Sequence, residues 1–288
     1  MPGEQESERL DRLDRRLEEI RPRLAVDAGG TGLPVITAAL CRQLAAELDL
    51  SARIVERQAL ARSIVPKRYL KNLQAVSLQE QQRLLESGVS VVGLGGLGGW
   101  VLEILARMGV GLIRAVDGDF FEESNLNRQL LCTEESLGLS KAEASGQRLE
   151  RINPSVELEI RSELLDADGF EDFVLEGGVV VDALGGLEVR RQLRRAAARR
   201  KAVLVTGALA GELGYVSTVF PGDSGPESLW TGGVGAEESL GCPPFAVSAV
   251  ASVQCAEVIH ILCGRQPRLR GRLAVLDCAG LDWQIFDL

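Results

Sequence analysis

From Ser90 to Trp100 the chain reads SVVGLGGLGGW, an apolar run that breaks into glycines and then resumes. The spacing Gly93-x-Gly95-x-x-Gly98 is that of a strand–turn–helix unit built to hold a nucleotide. The first glycine permits a tight turn, the second lets backbone approach a phosphate, and the third lets the helix pack close to the strand. The helix N-terminus then offers unpaired N–H groups and the positive end of its dipole. Asp117 ends the next apolar run, Leu112 to Val116. A carboxylate there accepts hydrogen bonds from ribose hydroxyls. On these two signals alone the nucleotide would be NAD.

The rest of the chain decides what surrounds this unit. Helices are predicted over Gly96–Met108, Lys141–Ile152, Glu188–Arg199 and Phe245–Cys263, and over SLQEQQRLLES, where Ser77 and Glu80 make a capping box. Strands are predicted over Val89–Val92, Leu112–Val116, Val156–Ile160, Val179–Asp182, Ala202–Thr206 and Tyr215–Phe220. Such alternation makes an α/β, Rossmann-like domain with a mostly parallel sheet. The C-terminal segment RLAVLDCAGLDWQIFDL reads as a hairpin, so the sheet should continue into an antiparallel part. Residues 1–64 read differently. Leu10, Leu13, Leu17 and Ile20 share one helical face, and Val35–Leu50 and Ile54–Ile64 read as two more helices. We therefore expect a helical extension over 1–64, docked on a domain over 65–288.

Composition narrows the function classes. The net charge of −9 argues against a nucleic-acid surface. No apolar run looks long enough to span a bilayer, and the charged start MPGEQESERL is no secretory signal. Six cysteines are scattered with no C-x-x-C pair, and His260 is the one histidine, so neither a disulfide framework nor a structural zinc is expected. These features point to a reduced, cytoplasmic protein.

The residues after Asp117 change the choice of nucleotide. The text runs DGDFFEESNLNRQLL, then GLSK, then RINP. Asn125 and Arg128 fall in a loop beyond the sheet, and Lys141 opens the next helix. One neutral donor and two cations suit a triphosphate under attack better than a nicotinamide ring. Here the chain resembles a known family. Over residues 68–288, the segments RYLKN, GLGGLG, D-x-D followed by NLNRQ, the GLSK lysine, RINP, VDAL and GALAGELG resemble the ThiF/MoeB/HesA family of ubiquitin-activating-enzyme-like adenylyltransferases. The resemblance implies ATP, magnesium, and attack on the α-phosphate by the C-terminal carboxylate of a ubiquitin-like sulfur carrier. It implies that Gly93, Gly95, Gly96, Leu97 and Gly98 hold phosphates and adenosine, and that Asp117, with Asp119 beside it, binds the ribose. It gives Asn125, Arg128 and Lys141 the phosphates, Asp182 the metal, and Lys71 the task of reaching the neighbour's ATP in a homodimer. A lysine at that place supplies charge without the two-pronged geometry of arginine.

Three departures from the family pattern stand out. The second aspartate that helps place magnesium would fall at Gly185, which Gly186 follows. The paired C-x-x-C zinc motifs of many members are absent. The cysteine that many members carry before the last helix would fall near Glu237 and Glu238, with Cys242 close but out of register. Adenylation is therefore the better supported activity. A non-catalytic nucleotide-binding scaffold, a small-molecule or RNA carboxylate as substrate, and an NAD-dependent oxidoreductase stay open as alternatives. Trp100, Cys255 and Cys263 read as core, and the basic run Arg190–Lys201 as a solvated helix face that could also receive an acidic carrier.

Overall fold

The structure is a computed structural model and describes residues 2–27, 30–229 and 237–288. Its N-terminal part begins with helix α1 (Pro2–Ile20), whose Leu13 and Leu17 are fully buried. Strands β1 (Ala25–Val26) and β2 (Pro34–Ile36) pair antiparallel, and helices α2 (Ala38–Leu48) and α3 (Ala52–Ala61) follow. Strand β3 (Val65–Pro66) pairs parallel with β2. The helix expected from Val35 therefore starts later, at Ala38. Pro34 and the β-branched pair Val35–Ile36 favour extended backbone, and the Thr37 side chain caps the helix by accepting from the Leu40 amide at 3.2 Å. Because β3 completes the small sheet, that sheet crosses the boundary drawn after residue 64.

The extension is joined to the rest through buried polar groups. Glu56 of α3 is fully buried. It accepts from Tyr69 Oη at 3.0 Å and Ser155 Oγ at 2.9 Å, and Arg68 Nε lies 3.2 Å away. Asn153, of the RINP segment, donates to Tyr69 Oη and to the Ala106 carbonyl, and it also meets Arg68. Burial pushes the Glu56 carboxyl above the ordinary range, against the pull of Arg68.

Helix α4 (Leu78–Glu86) carries the expected Ser77–Glu80 capping box. The large sheet then builds from β4 (Gly88–Val92), β5 (Leu112–Val116), β6 (Glu157–Arg161), β7 (Val179–Asp182), β8 (Val203–Ala210), β9 (Leu213–Val219), β10 (Arg272–Asp277) and β11 (Asp282–Asp287). Its order is β11-β10-β9-β8-β7-β4-β5-β6. Pairing is parallel from β8 through β7, β4 and β5 to β6, and antiparallel from β8 through β9 and β10 to β11.

One face of the sheet packs on α5 (Gly96–Met108), α6 (Lys141–Ile152) and α10 (Pro244–Leu262). The other packs on α7 (Ala167–Phe173), which the sequence pattern does not reveal, and α8 (Leu187–Arg199). A short helix, α9 (Glu237–Leu240), precedes α10. Contrary to the sequence expectation, α10 is long and apolar enough to cross a membrane by length and composition. Half of it is buried, against α5, β8 and β9. Its Glu257 is buried too and accepts from Thr218 Oγ1 and from the Arg268 and Leu269 amides at 2.7 to 2.9 Å. A carboxylate so paired belongs to a protein core.

Candidate nucleotide site

In the strand order the chain runs from β4 outward to β5 and β6, then returns to β7 on the other side of β4. The reversal opens a crevice at the carboxyl ends of β4 and β7, where an open α/β sheet binds its ligand. Val92, Val116 and Asp182 end their strands side by side there, and Thr206 of β8 is the partner of Asp182. A cleft of about 970 Å³ fills this crevice.

The glycine turn forms its floor. Gly93 has φ +90°, and a Cβ there would lie 2.6 Å from the Ala183 carbonyl oxygen. A Cβ on Gly98 would overlap the Gly93 carbonyl. These two glycines let the turn and helix close on the strand. Gly95, the N-cap of α5, lines the cleft with Gly96 and Leu97, so bare backbone faces the ligand position.

Asp117 lines the cleft as expected, and both its oxygens are held. Oδ2 accepts the Leu94 amide at 2.6 Å and Oδ1 the Asp119 amide at 2.8 Å. The loop after β5 brings in the cations. Arg128 lines the cleft, and its Nη1 donates to the Ser124 carbonyl and Asn127 Oδ1, both at 2.9 Å. Lys141 opens α6, is buried, and bonds Asp119 Oδ2 at 2.9 Å. The geometry thus brings together Gly93, Gly95, Gly96, Leu97, Asp117, Asp119, Arg128 and Lys141.

Four expected residues have other positions. Gly98 lies outside the cleft lining, turned against the Gly93 carbonyl where it serves helix–strand packing rather than the nucleotide. Asn125 is buried and does not line the cleft. Its Oδ1 accepts the Glu122 amide at 3.2 Å, closing a 3₁₀ turn that shapes the loop. Lys71 is exposed and also lies outside the cleft lining. Asp182 is not in the lining of this cleft, is 1% exposed, and lacks the open carboxylate that a metal ligand needs. Its Oδ1 accepts the Leu184 amide at 3.1 Å, while Oδ2 accepts Thr206 Oγ1 at 2.7 Å and Arg190 Nη1 at 3.1 Å. Gly185 lines the cleft and brings no second carboxylate. Among the described residues no three His, Cys, Asp or Glu side chains converge as a metal set. The residues present do not fit a protein-held magnesium.

Arg190 therefore leaves the solvated face assigned to its run. It lines the cleft and also donates to the Gly207 carbonyl at 3.0 Å and to the Leu184 carbonyl. Its signal was its place eight residues past Asp182, in the first turn of α8, at the head of a run whose other arginines masked it. Gln129 was missed as well. It lines the cleft beside Gly95, is 6% exposed, and its Oε1 is buried with no partner. It stands next to Arg128 inside NLNRQ, so the motif contained it.

Beyond the glycine turn the cleft continues onto the antiparallel strands, lined by Ala208, Ala210, Leu213, Tyr215, Leu273 and Val275. Cys242 and Val247 line it also. The place near Glu237 and Glu238 falls beside residues 230–236, which lie outside the described residues. Cys255 and Cys263 are buried, and burial pushes both thiols up. Trp100 packs half-buried on the main core.

The ThiF family matches the sequence over residues 67–288. The chain belongs to this family. It is 30% identical over 217 residues to the sulfur carrier protein ThiS adenylyltransferase of Escherichia coli, covering 74% of this chain and 86% of that protein. It is 31% identical over 214 residues to the SAMP-activating enzyme E1 of Haloferax volcanii, covering 73% and 79%. The molybdopterin-synthase adenylyltransferase of Escherichia coli is 30% identical over 210 residues, with 71% and 84% covered. The ThiF fold is matched in solved structures as well. Escherichia coli MccB with ATP superposes with TM-score 0.68 at 18% identity, over 77% of this chain and 71% of that one.

Proposed function

We propose that this protein uses ATP to adenylylate the C-terminal carboxylate of a ubiquitin-like sulfur-carrier protein. The observation that carries the reading is one continuous cleft with two kinds of wall. At one end stand the bare glycine backbone, Asp117, Arg128 and Lys141. At the other, β8, β9 and β10 offer small and apolar side chains. The first end suits a nucleotide triphosphate, and the second suits an extended chain end. The ThiS and molybdopterin-synthase adenylyltransferases among the relatives support the same substrate class.

The chemistry asks little of acid–base groups. A carboxylate is already ionised at neutral pH, so its oxygen attacks the α-phosphorus directly and pyrophosphate leaves. The protein must align the reactants and answer the growing negative charge. Backbone N–H groups at the start of α5 face the phosphates, and Asp117 accepts from the ribose. Arg128 stabilises the charge on the departing phosphates. Lys141 can do so once its ammonium turns from Asp119. No step is assigned to a protein-bound metal.

In the same reading the protein is a cytoplasmic homodimer with no membrane or nucleic-acid partner, and Lys71 serves the nucleotide of the second copy. The exposure of Lys71 outside its own cleft supports this. Calorimetric titration with ATP and with NAD tests the nucleotide assignment. ATP should bind, and Asp117→Ala should abolish that binding. Binding of NAD in place of ATP would overturn the reading.

A further inference from the structure

Magnesium is held by one or two carboxylates together with phosphate oxygens and water. Among the described residues Asp117, Asp119 and Glu163 line the cleft and Asp182 ends a strand next to it, and three of these four already have close donors. Asp117 takes the Leu94 and Asp119 amides. Asp119 takes the Lys141 ammonium. Asp182 takes the Leu184 amide, the Thr206 hydroxyl and the Arg190 guanidinium. The fourth, Glu163, has Arg161 Nη1 at 3.7 Å as its ion-pair partner among the described residues. It follows β6, and Asp182 ends β7 on the other side of β4 and β5.

Arg190 is the group that closes the position. It is anchored by Asp182, Thr206 and two backbone carbonyls, those of Leu184 and Gly207. A dication at Asp182 would have to displace it from all of them or bear its charge a few ångströms away. Gly185, three residues past Asp182, faces the cleft with nothing within 4 Å of where a Cβ would stand. The space for a second carboxylate is present, and the carboxylate is not.

We infer that this cleft binds ATP without a divalent cation held by the protein, with Arg190 in possession of the one buried carboxylate that could have served. The inference rests on the proposed use of ATP. The triphosphate is then gripped by the backbone amides of the glycine turn and by Arg128 and Lys141. Such a grip responds to phosphate charge, which a metal would partly neutralise.

The test is calorimetric titration of the full-length protein with ATP, once in excess EDTA and once in excess magnesium. For the natural sequence the two dissociation constants should agree within about threefold, or favour the metal-free nucleotide. Gly185→Asp supplies the second carboxylate in open space, and its backbone is outside the left-handed region. That variant should bind ATP about tenfold more tightly with magnesium than with EDTA. Loss of more than about threefold in EDTA for the natural sequence would overturn the inference and leave the ATP reading standing. A Gly185→Asp protein with no metal preference would also overturn it. Absence of ATP binding under both conditions would overturn the ATP reading itself, and the inference with it.

Discussion

Arg128 and Lys141 differ in how they are held, and this sets what each substitution should do. Arg128 is half-buried and anchored to its own loop, so its guanidinium is already aimed. Arg128→Ala should lower adenylate formation by about two orders of magnitude or more, with an unchanged thermal melt, as measured by pyrophosphate release. Gln129 makes a different prediction. An unpaired buried acceptor costs about 1–3 kcal/mol. Gln129→Leu should therefore raise the melting temperature while weakening ATP, and a lowered melt with unaltered ATP affinity would contradict a ligand-facing role. The glycines and Asp117 were readable from sequence because backbone clearance and strand-end position leave a local spacing. Asn125 was misplaced because its short amide satisfies its own turn before it can reach the cleft. Arg190 was not read as a site residue because it opens a run of arginines that reads as one solvated face, and only the fold turns it toward Asp182 and the Gly207 carbonyl.

At the scale of elements, ion pairs fix how helices meet. Glu80 caps α4 and also pairs with Arg265, just after α10, at 2.6 Å. The Arg265 hydrogen bond and the Ser77 amide hold its carboxyl down at about 2. In the unfolded chain the same group titrates near about 4.3. The stability it adds is therefore complete above the unfolded value and is lost as pH falls toward the folded one. The pair is partly exposed, so screening limits the effect to roughly 1 kcal/mol. Urea unfolding of the natural protein and Glu80→Gln should differ at pH 6 and converge only as the pH falls to about 2. The capping box, α5, β5, α6 and β7 were legible with their bounds, since each has its own cap or apolar period. Strands β1 and β3, of two residues each, leave no period to read. Helix α7 is short, and its role comes from placing Phe170 and Phe173 under the sheet.

For the whole molecule, residues 1–64 are part of the folded unit by burial. Leu60 packs with Tyr69 and Leu85, and Glu56 holds Arg68 and Tyr69. Removing 1–64 would expose that cluster and leave Arg68 without its buried partner, so the truncated chain should aggregate or melt well below the intact one. Glu56→Ala should cost about 3–5 kcal/mol for the same reason, as measured by chemical unfolding. The α/β class and the change from parallel to antiparallel pairing were legible because strand–helix alternation stops after β8 and a hairpin ends the chain. The docking of the extension was not, because it depends on Asn153 and Ser155 meeting Tyr69 and Glu56 across the fold. The most direct measurement is ATP–pyrophosphate exchange with a ubiquitin-like sulfur carrier bearing a free C-terminal carboxylate. Carrier-dependent exchange that vanishes when the carboxylate is amidated, and in Arg128→Ala, is the predicted result. ATP binding with no exchange for any such carrier would contradict adenylation as the function of this cleft.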